Sequence, residues 1–262
     1  MKKYLIPAGI AVVLILVIFF AFDHKPPKVS VFDERREKLI DSLQYPNSED
    51  LMHMHRDMLH AGGGTKAALL QQLADKWMQL AQPSIAADYI RQLADADPSY
   101  EHYMQAGAAM GSLIDFEAEE DLRMSLVYGA RYSYEMAEKL QPGDLDARIG
   151  LASVLVSGGS TPMEGIMMLR EMDAENPDNI RINLELGKFS VMSGQFDKAL
   201  ERFDRVLQKD SLNLQARYMR AQSFLGIQDT AKAVMELETL KSQTTDPTLI
   251  EQVDNEIKNL NH

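Results

Sequence analysis

Cysteine is absent from all 262 residues, which excludes disulfides, thiolate metal centres, thiol nucleophiles and a cysteine-linked lipid anchor. Basic residues are in deficit: 27 lysines and arginines stand against 39 aspartates and glutamates, a formal charge of −12. A nucleic-acid binder needs a basic stripe to displace counterions from phosphates, and this balance argues against one. The deficit is uneven, with +2 on residues 1–22, −1 on residues 23–66 and −13 from Ala67 onward. Catalytic signatures are missing too. There is no glycine-rich phosphate loop, no His-Glu-x-x-His and no Gly-x-Ser-x-Gly, and none of the six histidines has an evident acid or nucleophile partner in its sequence neighbourhood. The expectation is a chain that is not an enzyme and carries no cofactor.

What is present begins with one apolar run. Tyr4 to Phe22, YLIPAGIAVVLILVIFFAF, holds no charge and as a helix would span roughly 28 Å, close to a bilayer core. Cleavage after Ala21 would put Phe19 where a small residue is required, so residues 1–22 are expected to be an uncleaved signal anchor. Counting charges alone, Lys2 and Lys3 against Lys25, Lys28, Arg35, Arg36 and Lys38, would leave the body in the cytoplasm. The short Met-Lys-Lys tail before an apolar run has instead the form of a bacterial export signal. The chain is therefore expected in a bacterial inner membrane as a single-pass protein, its body in the periplasm.

Residues 23–66 read as a juxtamembrane linker, extended at Pro26 and Pro27, followed by polar helices over 32–60 broken at Tyr45-Pro46-Asn47. Within it, LMHMHRDMLH (Leu51–His60) gathers Met52, His53, Met54, His55, Met58 and His60, donors suited to copper. On a helix they do not converge, since His53 and His55 stand about 200° apart. Leu51, Met54, Met58 and Leu59 instead form an apolar stripe, so a helix packed on the segment from Ala67 onward is expected. Gly62 to Gly64 would end that helix and Thr65 would cap the next. Copper handling through residues 52–60 is the alternative function.

From Ala67 a period of 34 emerges. AALLQQLADKWMQLAQPSIAADYIRQLADADPSY (67–100) and IRINLELGKFSVMSGQFDKALERFDRVLQKDSLN (180–213) each hold two helical apolar patterns around a short polar turn. Leu73, Ala74, Trp77, Ala86, Ile90, Leu93 and Pro98 recur at the same spacing as Leu186, Gly187, Ser190, Ala199, Phe203, Val206 and Ser211. Three more segments share the frame. These are 101–144, with about ten extra residues between its helices, 145–179, with one extra residue at Ser157 to Pro162, and 214–247. Small residues at Ala74, Ala108, Ala152, Gly187 and Ala221 would let the second helix of each unit approach closely. TLIEQVDNEIKNLNH, the stretch 248–262, suits the solvating cap of a repeat array.

These segments resemble the tetratricopeptide repeat (TPR), a 34-residue helix-turn-helix unit. The resemblance covers about 180 residues and implies an all-α, right-handed superhelical array of five units (67–247) behind the membrane helix, with a concave face lined by each unit's first helix. Groove positions carried over from the family make the C-terminal half the more apolar. There Arg181, Leu184, Lys188, Val191, Met192, Tyr218, Gln222 and Leu225 are the candidate partner-binding residues, with the two cations holding acidic groups of a bound peptide. The family's lysine–asparagine clamp for a peptide carboxylate is not reproduced, because Gln71, Asp75, Ala106, Asp146 and Gly150 stand at the matching positions.

The insertion LIDFEAEEDLRMS, with Asp115, Glu117, Glu119, Glu120 and Asp121, lacks the calcium-loop spacing. It reads as a solvated loop and helix start, or as a docking element. The function the resemblance implies is that of a non-catalytic, membrane-anchored scaffold for a partner protein or peptide in envelope assembly, secretion or cytochrome c maturation. Self-association is the third possibility.

Overall fold

A computed structural model describes residues 31–42, 47–158 and 161–260. Among them are thirteen helices and no strand, an all-α helical repeat array. The apolar run Tyr4–Phe22 lies outside the described residues. Among those described, no helix is long and apolar enough to cross a membrane. The chain divides into two compact units at Leu140 and Gln141, and each is taken by itself.

The first unit contains α1 (Val31–Ser42), α2 (Asn47–His60), α3 (Gly63–Gln79), α4 (Pro83–Ala96), α5 (Tyr100–Gly111) and α6 (Glu120–Leu140). Its core joins Leu51 and Met58 of α2 to Leu70, Leu73, Ala74 and Trp77 of α3 and to Ile85, Ala86, Tyr89 and Leu93 of α4. The apolar stripe expected on α2 is corrected at one position: Leu59 is 61% exposed. Leu59 stands about 80° from Leu51 around the helix and His55 only about 40°, so His55 takes the inward place and meets Tyr89 at 2.9 Å. The glycines are also corrected. Gly63 and Gly64 belong to the first turn of α3, whose N-cap is Gly62, with no side-chain cap from Thr65.

The second unit contains α7 (Leu145–Ser157), α8 (Pro162–Glu175), α9 (Ile180–Met192), α10 (Phe196–Lys209), α11 (Leu214–Gly226), α12 (Thr230–Gln243) and α13 (Pro247–Leu260). The first helix of each pair begins at a polar cap that accepts from a backbone N–H three residues on. Asp144 accepts from Ala147 at 2.8 Å, Asn179 from Ile182 at 3.1 Å and Asn213 from Ala216 at 2.9 Å. Ser99 does the same for α5, accepting from His102 at 3.1 Å. The turns between paired helices repeat as well. Gln82 N–H donates to Trp77 C=O, Gln195 to Ser190 and Asp229 to Phe224, the C-terminal bond that needs a left-handed residue just before the donor. Gly194 supplies it at φ 71°, while Ala81 and Gln228 adopt it at φ 55° and 62° without being glycine.

The close crossings follow from the caps. A Cβ on Gly187 would stand 2.6 Å from the Phe203 ring, and one on Gly107 would stand 2.9 Å from the Tyr134 ring. The crossing residue of α5 is therefore Gly107 and not Ala108, which is exposed. The frame read back from Pro98 is one residue late, because Ser99 starts the helix at Tyr100. Gly107→Leu is expected to overpack this crossing by about 1–3 kcal/mol, while Ala108→Leu should stay within about 0.5 kcal/mol. Urea unfolding of the two variants checks it, and equal losses would remove the register.

Candidate functional site

The residues expected to bind a partner come to α9 and α11. Leu184 is 8% exposed and packs among Ala199, Phe203, Val206, Leu207 and Ala216, so it supports the fold from inside. Val191 packs half-buried against the same cluster. Arg181 is paired with Asp146 of α7, and Lys188 with Glu185 at 3.2 Å. Both cations are thus engaged by this chain's own acids. Tyr218 packs against the core that α13 closes with Val253 and Ile257. Burial, then the neighbouring Glu256, push its hydroxyl pKa above the ordinary value. Gln222 donates to Glu256 at 2.6 Å, and Leu225 is half-buried. Met192, 67% exposed, is the one open apolar side chain of the set.

A deeper feature lies between the second helices. Met163, Ile166 and Arg170 fall at i, i+3 and i+7 on α8, and Lys198, Arg202 and Arg205 at i, i+4 and i+7 on α10. Each set therefore presents one helical stripe. Both stripes border a cleft of about 450 Å³ that lies over the nearly buried Leu186 and Phe189 of α9, 7% and 6% exposed, with Ser190, Ser193, Gln195 and Glu201 completing the lining. Its open apolar side chain is Met163, 64% exposed. Leu186 and Phe189 are held rigid because their other faces pack on Ile149, Leu169, Met172 and Ile182.

The cleft is cationic in a region whose sequence is strongly acidic. Arg202 is held by Asp173 at 2.7 Å and by the Asn183 side-chain oxygen at 3.0 Å, and Lys198 donates to Gln195 at 2.6 Å. Arg170 and Arg205 are exposed and make no ion pair with any described residue. Glu201 is the one acid in the lining. The geometry therefore offers apolar surface with uncompensated guanidinium groups at its rim, suited to a carboxylate beside a bulky apolar side chain. The resemblance directed attention to first-helix positions. The signal that would have found the cleft is an apolar stripe ending in an arginine on one second helix, followed by a basic stripe on the next.

The Met/His segment borders a smaller cleft of about 320 Å³ with Arg36, Glu37, Ile40 and Asp41, but its donors do not converge. Met58 is 1% exposed, Met54 packs on the core, and His53 turns toward Glu49 and Arg56. Among the described residues no group of three or more His, Asp or Glu side chains is gathered for a metal. His55 instead lies edge-on to Tyr89 with ring centroids 6.1 Å apart, and the buried Arg36 guanidinium stands 5.7 Å from the centre of the same tyrosine ring. Burial, then the Arg36 charge, lower the His55 pKa from 6.5 to about 4. The unfolded chain then takes up the proton first as pH falls, so this histidine removes stability between pH about 6.5 and about 4. Asp88, raised above the usual carboxylate range mainly by burial, acts with the opposite slope. The expected result is a flatter stability profile over that window in His55→Gln than in the unmodified chain, read by urea titration at several pH values. Parallel profiles would show that His55 is protonated equally in both states.

The tetratricopeptide repeat family profile matches residues 164–222, which includes every residue of the cleft but Met163. Among solved structures, TTC0263, a thermophilic TPR protein of Thermus thermophilus, superposes with a TM-score of 0.56 at 15% identity, over 72% of this chain and 97% of its own. At that identity the likeness shows the fold alone. The type IV pilus biogenesis factor PilW matches at a TM-score of 0.47 and 18% identity over 69% of this chain and 79% of its own. YrrB, a TPR protein with an unusual peptide-binding site, matches at 0.42 and 17% over 72% and 92%. No curated protein matches the sequence.

Proposed function

We propose that this chain is a non-catalytic interaction scaffold, tethered to the membrane by Tyr4–Phe22, whose α8–α10 cleft takes an acidic, apolar segment of a protein partner. The observation that carries this reading is the combination of a preformed cleft, with exposed Met163 and half-buried Ile166 over Leu186 and Phe189, and two exposed arginines that nothing described in the chain neutralises. An exposed, unpaired guanidinium retains its full capacity for a bidentate carboxylate bond. A preformed cleft adds apolar contact at little ordering cost. The apolar run and the array together support a bacterial inner-membrane protein with a periplasmic body, serving envelope assembly, secretion or cytochrome c maturation.

The test is in-cell crosslinking and affinity capture, comparing the unmodified chain with Arg170→Glu/Arg205→Glu. Both positions are exposed, so stability should move by no more than about 0.5 kcal/mol per site, and circular dichroism checks the fold. Partner capture is expected to fall at least about tenfold, the loss of roughly one charge-assisted contact. Unchanged capture would remove the cleft. A second reading keeps the open end of the first-helix face, favoured by the 67% exposure of Met192. Loss of the partner in Met192→Asp but not in the arginine variant would move the site there.

A further inference from the structure

We infer that the segment filling the cleft is the acidic insertion of a second copy of this chain, with Phe116 seated against Met163 and Ile166. This rests on the cleft reading and names its occupant.

Phe116 is 86% exposed, well beyond the other exposed large apolar side chains of the described residues. Its turn is nevertheless firmly built. Phe116 N–H and Glu117 N–H both donate to Leu113 C=O at 3.1 Å, and the neighbouring Ile114 is 1% exposed. Glu117 accepts from the Ser84 hydroxyl at 3.1 Å, and Glu119 is paired with Arg35 at 3.0 Å. The aromatic ring is thus presented outward by a turn already ordered, so little entropy is lost on docking. An exposed aromatic on a rigid turn has the character of an interface anchor.

Its flanking charges complement the cleft. Glu117, Glu119 and Glu120 are occupied by Ser84, Arg35 and Arg123. Asp115 and Asp121 make no ion pair with any described residue, and neither do Arg170 and Arg205 at the cleft. Asp115, next to the exposed ring and within the field of Arg123, and Asp121 in the first turn of α6 therefore offer carboxylates to the unpaired cations of the cleft. Met163, 64% exposed at the cleft edge, adds a thioether for the ring.

Loop and cleft are different surfaces, so the contact is heterologous: each copy that offers its loop keeps a free cleft, and association propagates into chains or rings. One such contact is small and weak in solution. A shared membrane raises the effective concentration of the tethered copies.

Sedimentation velocity of the full chain in detergent, from about 1 to about 100 µM, reads contacts in this affinity range. The expected result is reversible, concentration-dependent association that disappears in Phe116→Ala and, separately, in Arg170→Glu/Arg205→Glu. An equimolar mixture of the two variants should then form a 1:1 dimer and nothing larger. One partner supplies only a working loop and the other only a working cleft. A variant that had merely failed to fold would not complement. A full chain that stays monomeric overturns the inference, as do oligomers that persist in both variants. If the chain is monomeric while partner capture still depends on Arg170 and Arg205, the cleft reading survives and its occupant is a different protein.

Discussion

Replacing Phe203 by alanine should cost the second unit about 3–5 kcal/mol. The ring is 0% exposed and packs among Leu184, Ala199, Val206, Leu207 and Ala216. It also fills the space that a Cβ on Gly187 would occupy, 2.6 Å away. Truncation therefore opens a cavity at the Gly187 crossing, where the glycine and two alanines have no atoms to swing into it and only Leu184, Val206 and Leu207 can relax toward it. Against a total stability of about 5–15 kcal/mol such a loss is decisive for folding at physiological temperature. Urea unfolding followed by circular dichroism measures it, with Phe203→Leu as the milder control. A loss below about 1 kcal/mol would mean that the ring is not the packing centre of the α9–α10 crossing.

Glu236→Ala should cost nearly as much for a different reason. Glu236 of α12 bridges Arg217 at 3.2 Å and Arg220 at 2.7 Å, both on α11, with side-chain exposures of 14%, 10% and 19%. Arg220 retains a second acid, Asp204 of α10, at 2.6 Å. Arg217 does not: its remaining partners are the neutral Gln243 side chain at 3.0 Å and the Ser211 carbonyl at 2.8 Å. Removing Glu236 leaves that guanidinium buried without a counter-charge, for which the loss is about 3–5 kcal/mol. Glu236→Gln should fall between, since the amide oxygen still accepts a hydrogen bond while the charge is gone. Pairing Glu236→Leu with Arg217→Met should recover much of the loss, because replacing both members of a buried pair by apolar groups is often neutral. Additive losses in that double variant would show that the two residues act independently.

These two residues differ in how far they can be read before folding. Phe203 stands at a repeated spacing from Gly187 and Ala199, so its role follows from periodicity. Glu236 sits in MELETLKS and looks like any solvated helix charge; only the packing of α12 on α11 brings two arginines to it. The same division runs through the candidate site. Arg181 and Lys188 occupy the positions the family pattern assigns to a groove, yet Asp146 and Glu185 already hold them. Leu184, from the same pattern, turns to the core. In α5 the repeat frame was legible but its phase was not, because the proline that marks the end of a unit is a looser reference than the serine that caps the next helix.

The sequence by itself determined what depends on near neighbours along the chain: helix after helix, and the small residues Ala74, Ala152, Gly187 and Ala221 that the structure buries. Those properties are written in spacings of three, four and thirty-four residues, which hydrogen-bond geometry and helical pitch translate directly into structure. Tertiary structure alone decided which charges are left over. Met163, Ile166 and Arg170 lie about 35 residues from Lys198, Arg202 and Arg205 and border one cleft only because α8 and α10 both stand over α9. Whether an arginine is spent on an internal acid or left open to a ligand depends on contacts between helices, and no local rule of sequence contains that distance.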